Sequence, residues 1–254
     1  MKINVFNKGF HYSQDGHGNR LVIHLQGCNL RCPWCANPEG LEMGGIMMQK
    51  QENRPPRLSC EEWEIEDLLK LCRESSSLFF DGGGVTFTGG EPTMQNEALR
   101  QALEALGEMG IHTVLETNAT SVTLPDLFPL VGQLIMDFKT ADPKKHQMVL
   151  GPGGKILIKN IQTALENHRD LLIRFPLIYG FNTSEDDLDG FLSVIGEGPK
   201  PHGVFEFLPY HEFGREKWRQ CGLEYHQQKA YVPEETLRVF EEAFRNHHLQ
   251  VAHT

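Results

Sequence analysis

The feature that most limits the fold of this chain is a repeated alternation of short apolar runs with longer stretches of helical spacing. Six runs predict buried strands at Leu21–Gln26, Gly84–Thr88, His112–Glu116, Leu134–Lys139, Leu171–Leu177 and Val204–Pro209. Helical spacing predicts helices at Glu61–Glu74, Asn96–Met109, Ile156–Asn167, Glu185–Ile195 and Glu234–Asn246. Strands that alternate with helices predict parallel βαβ units in an α/β fold. Six units are too few for an eightfold barrel, so a partial TIM-like (β/α)6 barrel is expected, with its site at the carboxyl ends of the strands.

Length and charge limit the class of protein. The 254 residues suit one domain over 1–254, with 24 Lys and Arg against 34 Asp and Glu and a formal net charge of −10. Nucleic acids and anionic membranes need a basic footprint, so neither is an expected partner. No apolar run reaches the roughly 18 residues of a membrane span, and the N-terminus lacks the apolar core of a secretory signal. We therefore expect a cytoplasmic protein.

Three of the six cysteines follow the first predicted strand as Cys28-x3-Cys32-x2-Cys35. Clustered cysteines in a chain of this kind indicate metal or redox chemistry rather than a disulfide framework. Three thiolates leave one iron of a four-iron cluster without a protein ligand, because each iron takes its own. That iron could accept the amino and carboxylate groups of S-adenosylmethionine (SAM). Zinc is the competing interpretation, although the sequence lacks a second CxxC pair; His24 is then a candidate fourth ligand.

Polar motifs also follow the other predicted strands. GGGVTFTGGEP ends the second strand, and Gly89 and Gly90 there would allow close backbone approach, with peptide groups left to pair with the amino group of SAM. A tight turn without a ligand is the simpler interpretation of this motif. The third strand ends in ETN, which predicts that Glu116, Thr117 and Asn118 face the cleft at the strand ends.

Charged residues mark the last three strands. Asp137 and Lys139 lie two positions apart and so share a face, where Lys139 could pair with the SAM carboxylate and Asp137 with its ribose. A structural ion pair is the alternative. Arg174 lies in an otherwise apolar run and is expected to have a partner. His211 follows the sixth strand and could reach the adenine or ribose of SAM.

These motifs together resemble a known family. CxxxCxxC with Trp34 before the third cysteine, followed by GGEP, resembles the signature of the radical SAM superfamily. With DGHGNR, ETN, DFK and LPYHEFGREKW, nearly the whole chain resembles the activating enzymes of glycyl radical enzymes, of the pyruvate formate-lyase type. The resemblance implies a barrel of the radical SAM type. It also implies a SAM site made by Trp34, Cys35, Ala36, Gly89, Gly90, Glu91, Asn118, Asp137, Phe138, Lys139, Arg174 and His211.

By this resemblance, the chain would hold one 4Fe-4S cluster on Cys28, Cys32 and Cys35, cleave SAM reductively, and abstract a hydrogen from a glycine of a partner glycyl radical enzyme. A flavodoxin-type electron donor, a monomeric state, and a monovalent cation near Glu116 and Asp137 are implied as well.

The sequence departs from the family in several places. Relatives often carry a ferredoxin-like insert with further clusters, but the loop Glu39–Ser59 and the helix after it hold only Cys60 and Cys72. A single cluster is therefore expected, with Cys60, Cys72 and Cys221 as packed thiols. The loop itself predicts either a flap or a plain surface connection. His17 and Ala36 also differ from the family pattern, which leaves the partner open. The alternatives are a radical SAM enzyme acting on a small molecule and a zinc-stabilised binding protein without catalysis.

Overall fold

The computed structural model describes residues 1–50 and 53–252 of the chain. The strands are β1 (Lys2–Tyr12), β2 (Asn19–Leu25), β3 (Met47–Met48), β4 (Arg57–Leu58), β5 (Glu61–Glu64), β6 (Val85–Gly89), β7 (Thr113–Thr117), β8 (Gln133–Asp137), β9 (Leu171–Leu177), β10 (Gly203–Pro209) and β11 (Gln250–Ala252). The α-helices are α1 (Ile65–Glu74), α2 (Asn96–Glu108), α3 (Pro143–Val149), α4 (Gly154–Asn167), α5 (Glu185–Ile195), α6 (Arg215–Gln220) and α7 (Glu234–Asn246). The six predicted strands are confirmed as β2 and β6 to β10, each with ends within two residues of the prediction.

Four of the five predicted helices are confirmed as α2, α4, α5 and α7. The prediction of a helix over Glu61–Glu74 is wrong in its first four residues, which form β5. These residues pair antiparallel with Lys2–Val5 of β1, so tertiary pairing overrides their local preference. The long strand β1 was not predicted.

One compact unit of the chain comprises residues 1–117, 129–132 and 213–226. Its sheet has the order β7-β6-β2-β1-β5, in which β7, β6 and β2 run parallel and β1 runs antiparallel to both neighbours. Leu25 at the end of β2 pairs with Gly89 at the end of β6. The loops that follow these two strands therefore begin side by side.

The other compact unit comprises residues 118–128, 133–212 and 227–254. Its sheet has the order β8-β9-β10-β11, and all of these strands are parallel. Phenylalanine rings fill its core: the ring centroids of Phe138 and Phe191 lie 4.9 Å apart, and so do those of Phe175 and Phe207. Each unit thus contains three of the six predicted strands. The single-domain organisation over 1–254 stays a prediction.

The segment predicted as a loop, Glu39–Ser59, is tied to the first unit at several points. Its strands β3 and β4 form a two-stranded antiparallel sheet. The Ser59 hydroxyl donates to the Glu39 carbonyl at 2.9 Å, and the Gln49 N–H donates to the Gln220 carbonyl at 2.7 Å. Gln51 and Glu52 of this segment lie outside the described residues.

Burial agrees with the prediction for two of the three scattered cysteines. Cys72 is inaccessible to solvent, Cys221 is buried, and Cys60 is partly exposed. Within the described part of the chain, no helix combines the length and apolar character needed to cross a bilayer.

Candidate active site

The loop after β2 carries the three clustered cysteines and is fixed by backbone hydrogen bonds. The Gly27 N–H donates to the Gly40 carbonyl at 2.8 Å, and the Cys28 N–H donates to the Leu41 carbonyl at 3.0 Å. The buried side chain of Gln26 donates to two further carbonyls of the same downstream turn. The cysteine loop is therefore clamped between the end of β2 and the turn at residues 38–42.

The thiols interact electrostatically with one another. Burial, together with smaller contributions from the nearby Cys32 and Cys28, raises the pKa of the Cys35 thiol to about 12. The Asn37 N–H donates to the Cys35 sulfur at 3.4 Å and the Leu30 N–H donates to the Cys28 sulfur at 3.4 Å. Three thiolates held this close repel one another unless a cation binds them, and a metal would displace their protons. The chemistry of this donor set fits an iron–sulfur cluster.

The arrangement of the thiols bears on the type of metal centre. Among residues 1–50 and 53–252, no three Cys, His, Asp or Glu side chains are gathered around one point as ligands of a single ion. Zinc draws its thiolates to about 2.3 Å from one centre, whereas a four-iron cluster takes one thiolate for each iron. The three thiols of this loop therefore match three of the four irons of such a cluster in number.

The turn after β6 packs against the cysteine loop. A Cβ atom on Gly90 would lie 2.3 Å from the Gly27 carbonyl oxygen and 2.5 Å from that of Gly40. Gly89 has φ +125°, a conformation that favours glycine. The Gly90 and Glu91 N–H groups donate to the carbonyls of Leu25 and Gly27. The peptide N–H groups of this turn are thus in use within the protein, and a contact of the turn with the amino group of SAM stays a prediction.

Glu91 is buried and joins the turn to the end of β7. Its Oε1 accepts hydrogen bonds from the Thr93 N–H, the Thr93 hydroxyl at 2.6 Å and the Thr117 hydroxyl at 2.7 Å. On the same sheet the Thr88 hydroxyl donates to Glu116 at 2.7 Å. These contacts give Glu91 a positioning role within the first unit; its contact with SAM stays a prediction.

In the second unit, Asp137 and Lys139 form an ion pair with an N···O distance of 2.6 Å. The side chain of Lys139 is almost buried, whereas that of Asp137 is about a quarter exposed. The ring of Phe138, between them, is fully buried against Phe175 and Phe191. Phe138 therefore has no accessible surface of its own, while Asp137 keeps an accessible face.

Arg174 has the partner that its burial required. Its Nε donates to Glu206 Oε2 at 2.7 Å, and both side chains are nearly inaccessible to solvent. Asp137 of β8, Arg174 of β9 and Glu206 of β10 occupy paired positions on three adjacent strands. Glu206 therefore holds Arg174 in position, while the Asp137 carboxylate is paired with Lys139.

The remaining residues predicted for the SAM site lie in loops. The Asn118 side chain accepts hydrogen bonds from the Thr120 N–H and hydroxyl, which makes a local turn. His211 is exposed in the loop after β10. Trp34 is buried, and Ala36 is partly exposed.

Sequence reasoning missed the residues that support the cysteine loop from α6. The Trp218 indole N–H donates to the Cys35 carbonyl at 2.8 Å. The Lys217 ammonium lies 2.7 Å from the Asn37 side-chain oxygen and 2.9 Å from Glu39 Oε1. Lys217 and Trp218 end the motif LPYHEFGREKW, but their contact with the cysteine loop could not be predicted because about 180 positions separate the partners in sequence.

His24, the candidate zinc ligand, lies within the first unit beside aromatic rings. Its ring centroid is 5.4 Å from that of Phe6 and 6.1 Å from that of His11. Neither ring nitrogen has a hydrogen-bond partner among the described residues. Burial lowers the pKa of His24 to about 4, so the ring is neutral at physiological pH.

Comparison with known proteins identifies the family of the chain. The model of the Radical SAM superfamily matches residues 22–192. A 4-hydroxyphenylacetate decarboxylase activating enzyme of Clostridioides difficile (strain CD196) is 27% identical over 91% of this chain and 89% of that protein. A pyruvate formate-lyase-activating enzyme of Streptococcus mutans serotype c is 29% identical over 84% of this chain and 79% of that protein.

A solved structure is similar as well. A domain of a pyruvate-formate lyase-activating enzyme from Bacteroides vulgatus superposes with a TM-score of 0.54 and 26% identity, covering 67% of this chain and 98% of that one. The predicted α/β fold of the radical SAM type is thereby confirmed, and the chain belongs to the radical SAM superfamily.

Proposed function

We propose that this protein activates a glycyl radical enzyme by reductive cleavage of SAM at one 4Fe-4S cluster. The observation that carries the proposal is the three-cysteine loop, held between the end of β2 and the Gly89–Glu91 turn. Relatives that share 27–29% identity over most of their length are named as activating enzymes of this kind.

Cys28, Cys32 and Cys35 would hold the cluster and leave one iron to SAM. When bound, the cluster would supply the electron that breaks a carbon–sulfur bond of SAM, which is the chemistry needed to remove a hydrogen atom from the α-carbon of the partner's glycine. The protein orients the reactants and keeps water away from them. The clamp on the cysteine loop provides the rigidity that this positioning needs.

Asp137 and Lys139 are the groups of the second unit that could bind SAM through charge. The Lys139 ammonium, now paired with Asp137, would pair with the SAM carboxylate, and Asp137 would accept from the ribose hydroxyls. Arg174 is neutralised by Glu206, which makes it a fixed hydrogen-bond donor rather than a free cation. His211 is exposed and would cover the adenine.

The proposal includes several finer points. The electron comes from a flavodoxin-type donor, the protein is a cytoplasmic monomer with a single cluster, and a monovalent cation binds near Glu116 and Asp137. Because Thr88 and Lys139 already contact these two carboxylates, a cation would have to compete with them. A pyruvate formate-lyase is the first partner to test, although the relatives are named for different glycyl radical enzymes.

Anaerobic reconstitution tests the proposal. We expect about four irons per chain, an absorbance that bleaches with dithionite, and 5′-deoxyadenosine once SAM is added. An electron paramagnetic resonance signal of a glycyl radical should appear only when a partner glycyl radical enzyme is present.

Two outcomes would replace the proposal. Cleavage of SAM together with turnover of a small molecule, and no glycyl radical on any candidate partner, would favour a small-molecule enzyme. Bound zinc without cleavage of SAM would favour a zinc-stabilised binding protein.

A further inference from the structure

A cavity of about 360 Å³ lies at the edge of the first unit, between β1 and the segment that contains β3 and β4. Its apolar floor includes Phe6 and Met48. Four cationic side chains and one carboxylate also line it: Lys8, Lys50, Arg54, Arg57 and Glu61. None of these residues belongs to the predicted cluster or SAM site.

Among the described residues that line the cavity, four cations stand against one carboxylate. Lys8 lies over the Trp63 ring and 3.9 Å from Glu61. Lys50, Arg54 and Arg57 form no ion pair with any carboxylate of residues 1–50 and 53–252. Such an excess of cations in a protein of net charge −10 creates a local positive field. The occupant of such a cavity is an anionic group.

The main chain at the cavity favours a protein as the source of that group. The outer edge of β1 pairs with β5 only along Lys2–Val5. From Phe6 onward, no strand of the described residues covers this edge, and Phe6, Asn7 and Lys8 line the cavity. An uncovered strand edge offers backbone donors and acceptors to an extended segment of another chain. An acidic protein segment satisfies both the edge and the cations.

The Phe6 ring and the turn that contains Gly40 connect the cavity to the cysteine loop. The Phe6 ring packs on Gly40 so closely that a Cβ there would lie 2.5 Å from Phe6 Cε1. The Gly40 carbonyl in turn accepts the N–H of Gly27, the residue before Cys28. A protein bound at the cavity is therefore separated from the cysteine loop by the Phe6 ring and this turn.

We propose that this cavity docks an acidic one-electron donor protein, and we base this on the proposed function above. Electron transfer needs proximity rather than alignment of reacting atoms, and redox partners associate through small interfaces steered by charge. In the step served by this contact, one electron leaves the donor and enters the oxidised cluster. No bond is formed or broken and no proton is transferred.

The test compares the wild type with the triple variant Lys50→Glu, Arg54→Glu, Arg57→Glu. Reduced and oxidised flavodoxin serve as the probe. We expect the variant to bind oxidised flavodoxin at least about 10-fold more weakly at about 0.05 M salt, with the difference much smaller at about 0.5 M. In stopped-flow experiments, reduction of the cluster by reduced flavodoxin should slow by a similar factor.

A matched control carries the same change in net charge on exposed lysines of the second unit: Lys144→Glu, Lys155→Glu, Lys159→Glu. This variant should bind flavodoxin within about twofold of the wild type at the higher salt and should lose much less affinity than the cavity variant at the lower one. With dithionite as the reductant, both variants should form the glycyl radical on the partner at the wild-type rate.

Three results would overturn the inference. Equal losses of flavodoxin affinity in the cavity and control variants would mean that only net charge matters. Slower radical formation with dithionite in the cavity variant would assign the cavity to the glycyl radical enzyme. Displacement of flavodoxin by micromolar inorganic phosphate would indicate a small-anion site. Failure of the wild type to cleave SAM with dithionite would instead contradict the proposed function, because flavodoxin binding can be measured without that reaction.

Discussion

Replacement of Gly90 by alanine should dislodge the cysteine loop. The new Cβ would lie 2.3 Å from the Gly27 carbonyl oxygen, so one of the two backbones must move by at least 0.7 Å (3.0 − 2.3) to reach the shortest contact that real Cβ atoms show. Overpacking of this kind costs about 1–3 kcal/mol. The movement also strains the hydrogen bond from the Glu91 N–H to the Gly27 carbonyl, worth about 1 kcal/mol.

The expected loss of stability is therefore about 3 kcal/mol, which corresponds to a fall in Tm of roughly 6–12 °C for a chain of this size. Thermal unfolding of the metal-free protein measures this loss. The iron content per chain after reconstitution shows whether Cys28 is still placed to bind the cluster, because a displaced cysteine loop should retain less iron. Gly107→Ala is the matched control, because Gly107 lies in α2 with nothing within 4 Å of the added methyl group. It should raise stability by about 0.5–1 kcal/mol. A Gly90→Ala protein with wild-type Tm and full iron content would refute the reasoning.

Three further predictions concern single side chains. Cys32→Ala should abolish assembly of the cluster, whereas Cys221→Ala should keep it; iron analysis and visible absorbance of both reconstituted variants decide the point. Burial lowers the pKa of His24 to about 4, from 6.5 in the unfolded chain, so the free energy of unfolding of the metal-free protein should fall by about 2 kcal/mol between pH 7.5 and 5 because of this group. The stability that comes from the neutral His24 ring is fully present above pH 6.5 and disappears as pH falls toward 4. In His24→Leu, urea titrations should show no such fall; the same pH dependence of unfolding as in the wild type would contradict the assignment. Trp218→Phe removes the donor to the Cys35 carbonyl and should cost about 1 kcal/mol in urea unfolding, with faster loss of iron to a chelator than in the wild type.

Much of the fold could be predicted because buried parallel strands are continuous apolar runs. Leu171–Leu177, for example, is bounded as predicted, and α5 begins at the predicted Glu185, where the structure adds a capping box on Ser184. The strand β1 escaped prediction because Asn7, Lys8 and Gly9 interrupt its apolar residues and no glycine or proline marks its start. Strand β5 escaped because its acidic residues resemble the start of a helix.

Some residues of the candidate site could also be found from local sequence, whereas others depend on contacts between distant positions. The cysteines, Asp137 and Lys139 could be found because chemically active residues follow strand ends, and a spacing of two places side chains on one face. The need for a partner of Arg174 was also predictable from its apolar surroundings. Its identity as Glu206 was not, because the partner lies on the next strand, 32 positions later.

The residues that hold the site in place were the least predictable, and this has a physical reason. Trp218 and Lys217 act on the cysteine loop only because α6 returns to it, and tryptophan and lysine at those positions suit an ordinary exposed helix equally well. The same holds for Phe6, which contacts Gly40 through a strand that the sequence did not indicate. The donor atoms for a cluster thus lie within eight consecutive residues. The rigidity of the loop that carries them depends on contacts from two distant parts of the first unit, Phe6 of β1 and helix α6. Variants of the supporting residues should therefore weaken retention of the cluster without removing any of its ligands.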